Sequence, residues 1–263
     1  MTETEKKQRI KQEGSVQIEV YTDPLCCWSW AFEPQWRKLR YAFSGKIKWR
    51  YRMGGLIPSW DSFSDPMNSI SRPLQMGPLW LEAKHRSGMP IHDRVWFENP
   101  PKSSIPACLA VKTAELQSPV AAEQYLRAVR EAVMLQGRDI SERKVLLEVA
   151  SELARRKPAV LDFSRFEQEL GREASKKALE EDLQKTRLHG ITRFPTLTIH
   201  KPGAAGVMIV GYRPYEALLE ALKQVAPELT PTQHAEDEEK YSAYWGEGIT
   251  EREVAEALQT SVL

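Results

Sequence analysis

The sequence predicts an α/β fold, and three observations carry the prediction. First, Val16, Ile18 and Val20 alternate with Gln17 and Glu19, the period of a strand, and Ile47, Trp49, Tyr51 and Met53 alternate with Lys48, Arg50 and Arg52 in the same way. Second, an apolar-periodic stretch through Phe32, Trp36 and Leu39 lies between them, so residues 16–53 read as strand, helix, strand, a unit that implies a parallel pair with a right-handed crossover. Third, far downstream, Pro195 stands just ahead of the alternating run Thr196 to His200, and a proline is tolerated at a strand's first residue because its missing N–H is not needed there.

The first strand breaks at Asp23-Pro24, and Leu25-Cys26-Cys27-Trp28-Ser29-Trp30 follows, which places Cys26 at or just before the first turn of a helix. Free N–H groups and the positive end of the helix dipole favour a thiolate there, so the local sequence predicts a Cys26 pKa lowered from about 8.5 into the range of roughly 3.5 to 7.5. The competing reading is that Cys26 and Cys27 are small buried hydrophobes.

Gly54-Gly55 ends the second strand. From Leu56 to Pro101 prolines interleave with Trp60, Trp80 and Trp96, which argues against a long regular element. These aromatics either cap the core or line a groove, and the core is favoured. From Ser104 to about Leu188 the pattern is helical: Ile105, Cys108, Leu109 and Leu116 share a face, Leu126, Val129 and Val133 recur at helical spacing, and Leu146, Val149 and Leu153 repeat it. Breaks fall at Ser118-Pro119, Gly137 and Lys157-Pro158. After Gly190 come the proline loop, strand Thr196 to His200, a turn at Lys201-Pro202-Gly203, a strand from Val207 to Val210, and a helix opened by Pro214 with Tyr215, Leu218, Leu219 and Leu222 on one face.

The segments Asp23-Pro24-Leu25-Cys26, Trp30 and Phe194-Pro195-Thr196 together resemble the DsbA family of the thioredoxin-like superfamily, particularly its FrnE-like branch of dithiol-disulfide isomerases. The resemblance covers roughly residues 16 to 226. It implies an α/β thioredoxin-like fold with a large helical insertion and a C-terminal extension: a polar arm over 1–14, a domain over 15–226 whose core is 15–55 and 190–226 and whose mostly helical insertion is about 56–189, and an extension over 227–263. It further implies a cis-proline loop at Phe194, Pro195 and Thr196 facing the cysteine, with Trp28 and Trp30 beside the substrate, and catalysis through Cys26.

The chain departs from the family at Ser29, which stands where the second cysteine of C-x-x-C belongs. A serine cannot close the intramolecular disulfide of a dithiol cycle, so monothiol exchange with protein or glutathione disulfides is what remains, with Ser29 stabilising the Cys26 thiolate. Glutathione, another protein, Cys27 or Cys108 would then resolve the mixed disulfide. Successive helix residues point about 100° apart, which disfavours a Cys26–Cys27 bridge. Cys108 sits on an apolar stripe, where buried packing is favoured. Two other activities follow from related branches: an adaptor presenting substrates to a Clp-type protease, and a glutathione-dependent transferase or isomerase of small molecules. The latter relatives tend to carry a serine where Cys26 stands.

Composition excludes several classes. With 37 basic and 36 acidic side chains and no long basic run, nucleic-acid binding is disfavoured. The charged N-terminus lacks a signal peptide's apolar core, and no stretch is long enough to span a bilayer, so no membrane association is expected. Three cysteines, an odd number, argue against a disulfide scaffold and for a reducing, cytoplasmic setting. His85, His92, His189, His200 and His234 show no metal-ligand spacing, and no metal or resident cofactor is expected. Beyond Pro227, Thr250 and Glu253 form a capping box with Ile249 and Val254 as its staple. That tail is expected to pack on its own domain, with partner binding as the alternative.

Overall fold

The structure, a computed structural model, describes residues 15–259 of the 263-residue chain. The polar arm expected over residues 1–14 lies outside the described residues. Strand β1 is Val16–Thr22, followed by helices α1, Cys27–Ala31, and α2, Glu33–Ala42, and by strand β2, Ile47–Met53. Strands β3, Thr196–His200, and β4, Val207–Val210, come much later, and the four strands lie in the order β2-β1-β3-β4. The β3–β4 hairpin is antiparallel, pairing Thr196 with Val210 and Ile199 with Val207.

The apolar stretch after Cys26 forms two helices rather than one. Pro34 has no N–H to extend the first helix, and the chain restarts around Phe32, with Pro34 in the opening turn of α2 where that loss is harmless. The proline-rich stretch differs from expectation as well. It holds helix α3, Met76–Ser87, and a short α4, Val95–Glu98. Pro78 falls in the first turn of α3, Met76, Trp80, Ala83 and Ser87 make its buried face, and Gly88, with φ of 72°, supplies the left-handed residue that ends it.

The helical block is α5, Ile105–Glu115; α6, Pro119–Met134; α7, Arg143–Arg156; α8, Phe163–Glu169; and α9, Glu173–Leu188. Helix α10, Tyr215–Val225, follows the hairpin, then α11, Glu238–Trp245, and α12, Glu251–Leu258.

Two compact units emerge. Among the described residues, one comprises 15–20, 32–50 and 195–259, the other 21–31 and 51–194, so the cysteine-bearing turn groups with the helical block. In the first unit the C-terminal segment packs inward. Tyr241 and Tyr244 meet Tyr41 edge-on, each with centroids 5.0 Å apart, and the buried Glu253 carboxylate lies 3.1 Å from Arg37 Nε. The Thr250–Glu253 capping box forms as the sequence predicts. The apolar side of this tail is therefore already used on its own unit.

In the second unit Trp60, Trp80 and Trp96 stack edge-to-face at 5.8 and 5.3 Å, with Trp80 and Trp96 buried. These aromatics form core. Behind the end of β2, the buried Asp182 carboxylate accepts from Arg52 and Lys112, each at 2.8 Å, and from the Met53 N–H at 3.0 Å. Lys112 also pairs with Glu115. No helix among the described residues is long and apolar enough to cross a membrane.

Candidate functional site

Cys26 sits just ahead of α1, with its N–H donating to the Asp23 carbonyl at 3.1 Å. That turn follows from Asp23-Pro24: the Asp23 carboxylate accepts the Leu25 N–H at 2.8 Å, and Pro24 has no N–H to continue β1. The sulfur has two polar neighbours. The Ser29 N–H donates to it at 3.4 Å from the first turn of the helix, and the thiol donates to the Phe194 carbonyl at 3.5 Å. Tyr21, Ile191 and Phe194 pack around it, with Trp28 and Leu56 at the margin.

Gly54 is what lets Phe194 come close, because a Cβ there would fall inside the Phe194 ring. Tyr21 closes the floor of this cluster, its hydroxyl 3.0 Å from His189 Nδ1. Arg130, buried on α6, donates to the Thr22 hydroxyl.

Electrostatics differ from the local expectation. Burial pushes the Cys26 thiol above its ordinary pKa, and Asp23 adds to the rise; the Ser29 hydroxyl and N–H and the Arg130 charge pull it back without overcoming burial. The helix start is real, but α1 is five residues long and Cys26 is only 5 % exposed, so desolvation of the thiolate wins. Ser29 Oγ is close enough to favour the thiolate without meeting full hydrogen-bond geometry, and it has no other partner among the described residues.

The structure sorts the remaining candidates. Trp28 is half-buried beside Cys26, with the Arg86 guanidinium 5.8 Å from its ring. Trp30, expected beside the substrate, is instead fully buried: its indole N–H donates to the Pro90 carbonyl at 2.9 Å and Arg127 lies 4.4 Å over its ring, so it serves the core. Phe194 supplies its carbonyl to the sulfur. Pro195 and Thr196 belong to the other unit; Pro195 accepts the Gly211 N–H at 2.8 Å, and Thr196 is buried at the head of β3.

Neither other thiol is exposed. Cys27 turns toward the Leu79 carbonyl, 4.0 Å away on α3, and burial raises its pKa well above the ordinary value. Cys108 donates to Asp23 Oδ2 at 3.2 Å and is raised likewise, by burial first and then by the Asp23 charge. All three cysteines are free. Among the described residues no three His, Cys, Asp or Glu side chains come together as a metal would need.

The sequence marks Asp23 as a strand breaker and a member of the cysteine motif and Gly54 as a strand end, without the contacts either makes, and it does not mark Arg130 or Tyr21. The Asp23-Pro24 turn signalled the first; the others are fixed by contacts more than 100 residues away in sequence, which no local pattern encodes.

The sequence profile described as thioredoxin matches residues 20–220. The ClpXP adapter protein SpxH of Halalkalibacterium halodurans is 29% identical over 219 residues, covering 82% of this chain and 70% of that protein. Among solved structures, a Nitrosomonas europaea protein assigned as a protein disulfide isomerase superposes with a TM-score of 0.66 at 22% identity, covering 80% of this chain and 97% of that one. The cytosolic disulfide reductase DsbM of Pseudomonas aeruginosa superposes with a TM-score of 0.60 at 21% identity, covering 79% and 98%. These likenesses establish a DsbA-like fold.

Proposed function

The chain belongs to the thioredoxin family, in its DsbA-like form, and we propose that it exchanges thiols with disulfides through Cys26 alone. The observation that carries this reading is the setting of the Cys26 sulfur. A backbone N–H, a carbonyl and the hydroxyl of Ser29, which stands in the place of a second thiol, bound it. Such a site can form a mixed disulfide and has no motif cysteine to discharge it.

The steps balance as two exchanges. Cys26 loses its proton and the thiolate attacks one sulfur of a disulfide; the new S–S bond forms as the old one breaks, and the departing half leaves as a thiolate. A free thiol from solution then attacks the mixed disulfide and releases Cys26. Glutathione is the proposed source of that second thiol, with protein disulfides or protein–glutathione mixed disulfides as substrates and the cytoplasm, rich in free thiols, as the setting. The similar fold of DsbM has also been solved with GSH, which supports this choice of co-substrate. The Phe194-Pro195-Thr196 loop, with Pro195 proposed as cis, would offer its backbone to an extended substrate.

Incubation with glutathione disulfide at mildly alkaline pH, followed by peptide mapping, tests the reading. One glutathione is expected on Cys26, and a Cys26→Ala chain is expected to take up none. An adduct absent from the parent, or persisting in the variant, would refute it.

A second reading is favoured by the relatives named as ClpXP adapters. Here the chain would hold a client and deliver it to the protease, with the thiol incidental. Binding of purified chain to ClpX, measured with and without Cys26→Ala, separates the two: an adapter binds in both forms, and absence of binding removes this reading.

A further inference from the structure

The Asp23 side chain is fully buried and gathers donors from three stretches of chain. Oδ1 accepts the Leu25 N–H at 2.8 Å. Oδ2 accepts the Leu56 N–H at 2.7 Å, the Ser104 hydroxyl at 2.9 Å and the Cys108 thiol at 3.2 Å. The Asp23 carbonyl accepts the N–H of Cys26 itself. One residue thus closes the turn that carries the sulfur and ties it to the segment after Gly55 and to the head of α5.

A buried carboxylate costs several kcal/mol unless its oxygens are met by donors, and four donors are a large investment for a turn that a surface Asp-Pro could make alone. The arrangement makes sense if the place of the sulfur matters. The charge matters as well, since it opposes a thiolate at Cys26. The groups that bear on Cys26 are Asp23, Arg130 from α6 and Ser29 from α1; Cys27 in turn feels Cys26 and Glu82 from α3, and Asp23 faces Ser104, which caps α5, and Cys108 within it.

We propose that Asp23 is a positioning residue that restrains Cys26: its buried carboxylate fixes where the sulfur stands relative to the Phe194 carbonyl and sets a negative charge against it. Asp23 reaches Cys26 through backbone and field, not through the reacting atoms. The proposal rests on the reading of Cys26 as the exchanging thiol, and it predicts that removing the charge speeds the thiol rather than disabling it.

Asp23→Asn is the direct test. With its carbonyl turned to the Oδ2 position, asparagine can still accept from Leu56, Ser104 and Cys108, losing only the Leu25 bond. Alkylation of Cys26 by iodoacetamide is followed against pH, with cooperative thermal unfolding as the check on folding. The midpoint should fall by about half a unit, roughly threefold more thiolate at pH 7, and alkylation there should run roughly twofold faster once the weaker nucleophilicity of a more acidic thiol is allowed for. A folded variant with an unchanged or higher midpoint would overturn the proposal. Should Asp23→Asn fail to fold, Ser104→Ala takes its place: it removes one donor, leaves the carboxylate less neutralised, and should move the Cys26 midpoint up. An unchanged or lower midpoint would overturn the proposal equally. Because iodoacetamide reads the sulfur directly, failure of the parent to take up glutathione would count against the exchange reaction and leave this test intact.

Discussion

A Ser29→Cys chain is expected to acquire a dithiol cycle that the parent lacks. Ser29 occupies the first turn of α1, and its N–H already points at the Cys26 sulfur from 3.4 Å. A thiol in place of the hydroxyl would stand where an intramolecular attack on a Cys26 mixed disulfide becomes a local event rather than a bimolecular one, and effective concentrations for such steps far exceed those of cellular thiols. Treated with glutathione disulfide, the parent should retain one glutathione per chain; the variant should retain none, release two glutathiones, and lose two titratable thiols as Cys26 bonds to the introduced sulfur. Serine is nearly isosteric with cysteine, and Ser29 Oγ has no other hydrogen-bond partner among the described residues, so the change should leave the fold in place. Retention of glutathione by the variant would mean that residue 29 is not aimed at the sulfur.

The largest stability effect is expected at Asp182. Its carboxylate is fully buried and is shared by Arg52 and Lys112, themselves nearly buried, and by the Met53 N–H that ends β2. Asp182→Ala would take from the buried Arg52 and Lys112 the carboxylate they share, leaving Lys112 to Glu115, and breaking such a buried pair from one side costs about 3–5 kcal/mol. For a domain of this size that is a fall in Tm of order 10 °C. Thermal unfolding of Asp182→Ala against the parent checks it, and a loss under about 1 kcal/mol would show that water or a rearranged Glu115 takes over the cations. Intact, the triad fixes the C-terminal end of β2, directly before the Gly54–Gly55 turn that admits the Phe194 ring, which ties the stability of the unit to the geometry of the thiol.

The legible parts of this protein are those encoded by period and punctuation. Alternation gave away β1, β2 and β3, the Asp23-Pro24 break placed Cys26 at a helix start, and the Ser-Pro and Gly breaks separated the insertion helices. Helix α3 was hidden because Pro78 and its neighbours read as breakers, although a proline in a first turn breaks nothing. The charge state of Cys26 was hidden for a different reason. A helix start is a local feature that lowers a thiol's pKa, whereas burial is a tertiary one that raises it, and Tyr21, Ile191 and Phe194, which bury this sulfur, come from both ends of a span of about 170 residues. Asp23 and Asp182 belong to the same class, since, Leu25 apart, the partners of their carboxylates lie 33 to 130 residues away in the chain.

The most direct test of Cys26 as the exchanging thiol is site-resolved alkylation of all three cysteines as a function of pH, read by mass spectrometry. Cys26 is expected to react first and largely alone, with a midpoint above that of a free cysteine, because its thiol is raised by burial while Cys27 and Cys108 are raised further and lie deeper. Reaction of Cys27 or Cys108 ahead of Cys26, or a Cys26 inert across the whole range in the folded chain, would contradict the account.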